Sequence, residues 1–467
     1  MNLARKLIGK NINLEKLLIE CYMIDNYIII NFPNKINENK FLSMIGIYKR
    51  LIKIKYVIIY KDEEKRNSHL QKVINNLNNY LNDLQFYENS SPIIDEQFNI
   101  IGTIILLKED NNIKNNFDYC PHIGLKNIWS SCYMNSTLQC FCHIEKLVNY
   151  FKYISQIDGN KNNLSSSFKL LIDKMWPNDL DSSKKYWSPE EFKNKISKMS
   201  NLFAGLASND LKYLIQFIIL ALHEELNSKC YNNNTILNLD QTNKNIVFQY
   251  FINDFTRKNR SIISDLFYSV NYNIIKCCKC NIEIYNYEIY FFLNFPLEEV
   301  YKFKNQCYND INNQNKFINN NNMINIYHCF DYYRKTKYLI GEDSIYCNNC
   351  KIIGDYSICS FLVTGPQILI LLFNSEIAKE FNINIYFEEY LNLSNYIEYK
   401  NTGCNYKLIG VITYIEESNK DGNYIAYCKD PINNKWYKYN DEIVNFIENF
   451  QVINSVVPYL LLYEKTD

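Results

Sequence analysis

Between residue 25 and about residue 107, short apolar runs alternate with stretches of helical spacing. YIIINF, KYVIIYKD and IIGTIILL read as strands, and HLQKVINNLNNYLNDL carries Leu70, Val73, Ile74, Leu77, Leu81 and Leu84 at three- and four-residue steps. Such a stripe lines one helix face for packing on a sheet. The order predicts a small α/β domain over residues 1–107, faintly similar to a rhodanese domain but with no cysteine loop after a strand. KEDNNIKNNFD is polar without apolar periodicity and predicts a linker over residues 108–119. A second Asn-rich tract, residues 309–322, lacks the apolar surface to order itself and predicts a disordered insertion. Apolar runs return at PQILILLF, INIYFEEYLNLSNYI and VVPYLLLY, which read as strands of a larger sheet.

A hydrophobic fraction of 47% is enough for globular cores. Fifty basic residues balance fifty acidic ones, so no global field draws the chain to nucleic acid or to an anionic membrane. No run is long and apolar enough to cross a bilayer, and the opening MNLARKLIGK mixes charge into its apolar residues. A soluble protein of the cytoplasm or nucleus is the expectation. The sixteen cysteines are scattered through a large chain, a pattern that favours reduced thiols and a metal site over a disulfide framework.

Cys277 and Cys280 form one CxxC pair and Cys347 and Cys350 another, the spacing at which two thiolates from one turn reach the same tetrahedral Zn²⁺. Four such ligands close a structural site. Cys278 is left out of the ligand set. In GLKNIWSSCYMNSTLQC, residues 124–140, Cys132 stands where a polar loop meets a helix with Met134, Leu138 and Phe141 on its apolar side. Free N–H groups and the helix dipole at such a position favour a thiolate. A buried structural cysteine is the competing reading.

That string is very similar to the cysteine box of the ubiquitin-specific proteases, GLxNxGxTCYMNSxLQ. SNDLKYLIQFIILALHEELN, ending at Asn227, resembles the family's second box, and residues 406–444 resemble its histidine box, with Gly422, Tyr424, Ala426, Trp436 and Asp441 on its landmarks. The resemblance covers about residues 120–464. It implies an α+β, papain-like cysteine peptidase of thumb, palm and zinc-ribbon fingers, the fingers spanning about residues 250–360. It implies Cys132 as nucleophile, Asn127 as oxyanion donor, and Asn135 and Gln139 as supports of the helix. Asp210, Gly422 and Tyr424 would bind the ubiquitin tail, with ubiquitin or ubiquitinated proteins as partners.

Three departures matter. Trp129 stands where the family has glycine, and its side chain disfavours backbone conformations that glycine permits. Asn209 replaces a Gln, and Tyr213 with Leu214 replaces Glu-Phe, which removes one acidic contact to ubiquitin. Asn423 occupies the position of the catalytic histidine, and an amide has no proton-accepting pKa near neutrality. Asn440, at the third triad position, is then left without a histidine to orient.

None of His69, His122, His143, His223 and His328 falls in the last box. His143 is eleven residues beyond Cys132, roughly 16 Å along one helix. His122, in the preceding loop, stands as a remote alternative base. The expectation is therefore a ubiquitin-binding member with hydrolysis lost or severely weakened. Two alternatives stay open: an active cysteine deubiquitinase with an unrecognised base, and a zinc-ribbon interaction scaffold.

Overall fold

In the computed structural model the chain divides into two compact units, Met1–Asn116 and Phe117–Asp467. Before residue 120 the structure describes five strands only. From 120 to 466 it describes all residues except 121, 156, 158–162, 178–184, 206–208, 228–240, 312–322, 374–382, 400–402, 418 and 419. The helix expected around Leu70–Leu84, His69 and nearly all of the expected linker lie outside the described residues.

The five strands of the first unit form one mixed sheet in the order Cys21–Ile24, Tyr27–Asn31, Tyr56–Tyr60, Ile100–Leu106, Ser90–Ile94. Tyr27–Asn31 and Tyr56–Tyr60 run parallel, and parallel neighbours need a crossover between them, as an α/β unit provides.

The second unit approaches its first helix through the short strand Gly124–Leu125. Leu211–Leu226 buries Leu211, Leu214, Ile215, Ile218, Ile219 and Leu222 along one face, the stripe of a surface helix. It packs on helix Leu164–Met175 and on helix Cys132–Cys142. All eleven residues of Cys132–Cys142 are buried. It lies between that helical layer and the large sheet, touching strand Lys420–Lys429. Its polar residues are bonded inward: Ser136 and Thr137 hydroxyls donate to the Tyr133 carbonyl, which is how polar side chains survive burial.

The large sheet runs Leu293–Phe295, Ile368–Phe373, Pro458–Lys465, Asn405–Glu417, Lys420–Lys429, Trp436–Asn440, Ile443–Ile447, with Tyr390–Asn392 also pairing with Asn405–Glu417. Every residue of Ile368–Phe373 is buried, as expected of a continuous apolar run covered on both faces. The expected strands at PQILILLF, INIYFEEYLNLSNYI and VVPYLLLY are all present.

A four-stranded sheet, Lys337–Leu339, Tyr356–Leu362, Ser269–Cys277 and Glu283–Tyr290, extends from this body. The stretch between its second and third strands in chain order does not belong to it. Leu293–Phe295 joins the large sheet beside Ile368–Phe373, and helices Leu297–Ile311 and Ile326–Tyr333 place Leu297, Val300, Ile326 and Phe330 in the main core. The fingers are thus narrower than a continuous 250–360 segment. Helix Leu297–Ile311 also runs through the first three residues of the tract expected to be disordered; its acidic start, Glu298 and Glu299, suits the helix dipole. Residues 312–322 lie outside the described residues.

Candidate active site

The helix begins at Cys132, with Ser131 as its N-cap residue. The loop before it is held by Asn127, whose Oδ1 accepts from the Ser131 N–H at 3.0 Å, while the Ser131 hydroxyl accepts from the Ile128 N–H at 2.8 Å. Between them Trp129 and Ser130 take φ of 50° and 55°. Trp129 therefore adopts the left-handed conformation that its side chain was expected to resist, with that side chain 57% exposed. A left-handed non-glycine residue costs roughly 1–2 kcal/mol, and the Asn127–Ser131 bonds are what hold it. Asn135 Nδ2 donates to the carbonyls of Leu125 and Lys126, and Gln139 Nε2 to that of Ile123 at 2.9 Å. Both tie the helix to the approaching strand.

Opposite the thiol lie the residues of the large sheet. Asn423 Nδ2 donates to Asn440 Oδ1 at 2.6 Å. Asp441 is the residue that sequence reasoning passed over as a landmark. Its carboxylate accepts from Asn127 Nδ2 at 2.8 Å and from Asn135 Nδ2 at 2.7 Å, and lies 3.5 Å from Asn423 Nδ2. Burial raises its pKa, and the three amides lower it only in part. Gly124 makes this approach possible: a Cβ there would lie 2.5 Å from the Glu442 carbonyl oxygen and 2.8 Å from that of Asp441.

The Cys132 thiol is pushed above its ordinary pKa, first by burial and also by the negative field of Asp441, against which a backbone hydrogen bond from Tyr424 pulls it down. No described histidine reaches it. His143 and His122 both contact the Tyr439 hydroxyl, at 2.9 Å and 3.3 Å, at the opposite end of the helix. His223 pairs with Ser261 at 2.8 Å, and His328 Nδ1 accepts from the Asn325 N–H at 3.1 Å as a helix cap. His122 is thereby removed as a base for Cys132.

Asp210 caps helix Leu211–Leu226, accepting from the Lys212 N–H at 2.8 Å and from the Tyr459 hydroxyl at 2.5 Å. Tyr459 in turn packs edge-on against Tyr424, so Asp210 and Tyr424 meet through one ring. Gly422 is required where it stands, because a Cβ would lie 2.4 Å from the Tyr414 ring.

A sequence profile described as "Ubiquitin carboxyl-terminal hydrolase" matches residues 123–463. The chain belongs to the ubiquitin carboxyl-terminal hydrolase family. Relatives in that family include ubiquitin carboxyl-terminal hydrolase Usp2 of Drosophila melanogaster, 24% identical over 73% of this chain and 35% of its own length. Ubiquitin carboxyl-terminal hydrolase 2 of Bos taurus is 24% identical over 73% of this chain and 54% of its own. The chain therefore spans between a third and just over half of these relatives. Among solved structures, the SAGA Ubp8/Sgf11/Sus1/Sgf73 DUB module bound to ubiquitin aldehyde aligns with a TM-score of 0.51 and 20% identity, over 75% of this chain and 70% of that one. A SAGA DUB module bound to monoubiquitin aligns at 0.52 and 19%, over 86% and 76%. The fold of this hydrolase-family chain is accordingly α+β and papain-like.

Beyond strand Ser269–Cys277, Cys277, Cys280, Cys347 and Cys350 bring their sulfurs within 4.8 Å of one another. The two knuckles are built alike: Asn281 N–H donates to the Cys277 carbonyl at 2.9 Å, and Lys351 N–H to that of Cys347 at 2.8 Å. Asn281 and Lys351 both take φ of 59°. Cys280 and Cys347 sulfurs are 3.7 Å apart, close to the ~3.8 Å edge of a tetrahedron with Zn–S of about 2.3 Å. Cys278 is exposed and outside the cluster.

Proposed function

We propose that this chain recognises ubiquitin and its C-terminal tail through a deubiquitinase fold whose thiol-dependent hydrolysis is lost or severely weakened. Family membership and fold neighbours solved with ubiquitin aldehyde and monoubiquitin support ubiquitin as the partner. One observation carries the loss of activity: the group paired with Asn440 beside Cys132 is the amide of Asn423, while the nearby ionisable group is the Asp441 carboxylate, which disfavours a thiolate. An amide can neither accept the thiol proton nor return one to a leaving amine, so both half-reactions of an acyl-enzyme route would be slow.

In this reading Cys132 keeps the nucleophile position. Asn127 keeps the oxyanion-donor position, with one amide hydrogen engaged by Asp441 and a second left for substrate. Asp210, Gly422 and Tyr424 line the path of the tail, and Asp210 suits the arginine side chains that such a tail carries. Zn²⁺ fits Cys277, Cys280, Cys347 and Cys350. Four thiolates leave no open position, so the ion's contribution is structural.

The experiment is release from a ubiquitin C-terminal amide reporter by the chain, its Cys132→Ala variant and its Asn423→His variant. Silence in the unmodified chain, relieved by Asn423→His, supports the proposal; Cys132-dependent turnover in the unmodified chain overturns it. A second reading, an active cysteine deubiquitinase, has Asp441 in its favour as a half-buried carboxyl near the thiol with a raised pKa. Turnover abolished by Asp441→Asn would identify that case.

A further inference from the structure

At the end of the helix opposite Cys132, separate parts of the chain converge. Cys120 and His122 come from the approach to the cysteine box, His143 from the helix end, Asp430 and Tyr439 from the large sheet. The Cys120 sulfur, a His122 ring nitrogen and an Asp430 oxygen all lie within 4.8 Å of one another. Asp430 is wholly buried, and its Oδ1 accepts from the N–H groups of Ile432 and Asn433 at 2.7 Å and 3.2 Å. Its Oδ2 has no hydrogen-bond partner, and His122 Nε2 lies 3.4 Å from it without hydrogen-bonding geometry. A buried carboxylate oxygen left bare is costly.

The surrounding hydrogen bonds assign the protons. His143 Nδ1 is 2.7 Å from the Gln139 carbonyl, which accepts only, so that nitrogen carries the hydrogen and Nε2 carries a lone pair. The Tyr439 hydroxyl, 2.9 Å away, donates to that lone pair. Its oxygen then accepts from His122 Nδ1 at 3.3 Å. His122 Nε2 is left with a lone pair, facing the bare Asp430 oxygen and the Cys120 sulfur. Three Lewis bases converge on one point from the cysteine-box approach and the sheet. His122 also holds the left-handed φ of 48°, and its ring stacks on Tyr437 at 3.6 Å, which fixes its direction.

We propose that Cys120, His122 and Asp430 form a second metal site, distinct from the four cysteines of the fingers, and that Zn²⁺ is the ion it takes. Thiolate, imidazole and carboxylate are the three donor types zinc accepts, at about 2.0–2.3 Å. Tyr439 bonded to His122 Nδ1 is the outer partner that a metal-bound imidazole requires. The Nε2 of His143, 3.8 Å from the Cys120 sulfur, is a further nitrogen beside the site. The ion would pin the approach to the cysteine box onto the turn between strands Lys420–Lys429 and Trp436–Asn440, which carry Asn423 and Asn440. None of this depends on whether the chain binds ubiquitin or hydrolyses anything.

The test is metal content per chain, by inductively coupled plasma mass spectrometry on gel-filtered full-length protein loaded with Zn²⁺ and freed of excess. The expected result is two ions in the unmodified chain, one in Cys120→Ser and Asp430→Asn, and one in a Cys277→Ser/Cys280→Ser variant. An ion count of zero in the Cys277→Ser/Cys280→Ser protein would show that the fingers hold all the zinc. Should that variant fail to fold, the unmodified chain still decides: one ion, retained in full by Cys120→Ser and Asp430→Asn, overturns the proposal.

Discussion

The two ends of helix Cys132–Cys142 are furnished in opposite ways. Its N-terminal end holds the thiol, within the field of one carboxylate, Asp441, which accepts from the amides of Asn127, Asn135 and Asn423. Its C-terminal end, roughly 16 Å away at 1.5 Å per residue, holds two imidazoles, a second cysteine and the wholly buried carboxylate of Asp430. The residue types that would complete a thiol protease are all in the molecule, gathered where they cannot serve Cys132. Reactivity therefore follows placement: a cysteine gains a base only from a group within hydrogen-bond reach, and at the N-terminal end no described imidazole has that reach.

The largest test of this contrast is Asn423→His. A base returned to the thiol should raise Cys132-dependent release from a ubiquitin amide reporter by about 10²–10⁴-fold; an unchanged rate would mean that Asn440 and Asp441 do not orient the new ring. Next, Gly124→Ala forces the Asp441–Glu442 backbone away from the cysteine loop, since the added Cβ meets the Glu442 carbonyl at 2.5 Å. A loss of about 1–3 kcal/mol in chemical denaturation is expected, with the denaturation midpoint as readout.

The pH dependence of thiol alkylation sharpens the comparison further. The raised pKa of Cys132 means that its thiolate fraction, and with it the rate with a neutral alkylating agent, climbs only at pH values above the ordinary cysteine range. Asp441→Asn removes the carboxylate field and should move that curve toward lower pH; a shift the other way would contradict the assigned cause. Trp129→Gly relieves a left-handed residue and should stabilise by about 1 kcal/mol in the same denaturation assay. Smallest of all, if the proposed ubiquitin recognition holds, Cys132→Ala should leave ubiquitin affinity within about twofold in a titration, because a few well-packed contacts rather than one thiol set the affinity of such a surface.

Much of this was readable along the chain wherever the physics is local. The start of a helix at Cys132, the strands at PQILILLF and VVPYLLLY, and the twin CxxC turns depend on residues a few positions apart, and all appear in the structure. The Asn-rich tract was read less well at its start, where composition alone pointed to disorder, while Val300 and its neighbours carry a helix against the core as far as Ile311. Trp129 shows the same limit from the other side. Its side chain argued against a left-handed backbone, and the Asn127–Ser131 bonds overrule that preference.

By itself, then, the sequence determined the family, the order of its boxes, the place of Cys132 at a helix start, the two CxxC pairs and the amide at residue 423. Only the tertiary structure decided that Asp441 collects the amides around Cys132, that His122 faces Asp430 rather than the thiol, and that Cys120 joins them. Those meetings join residues about 310 positions apart. They are set by which strands of the large sheet lie under which end of the helix, and strand register is a property of the folded sheet as a whole.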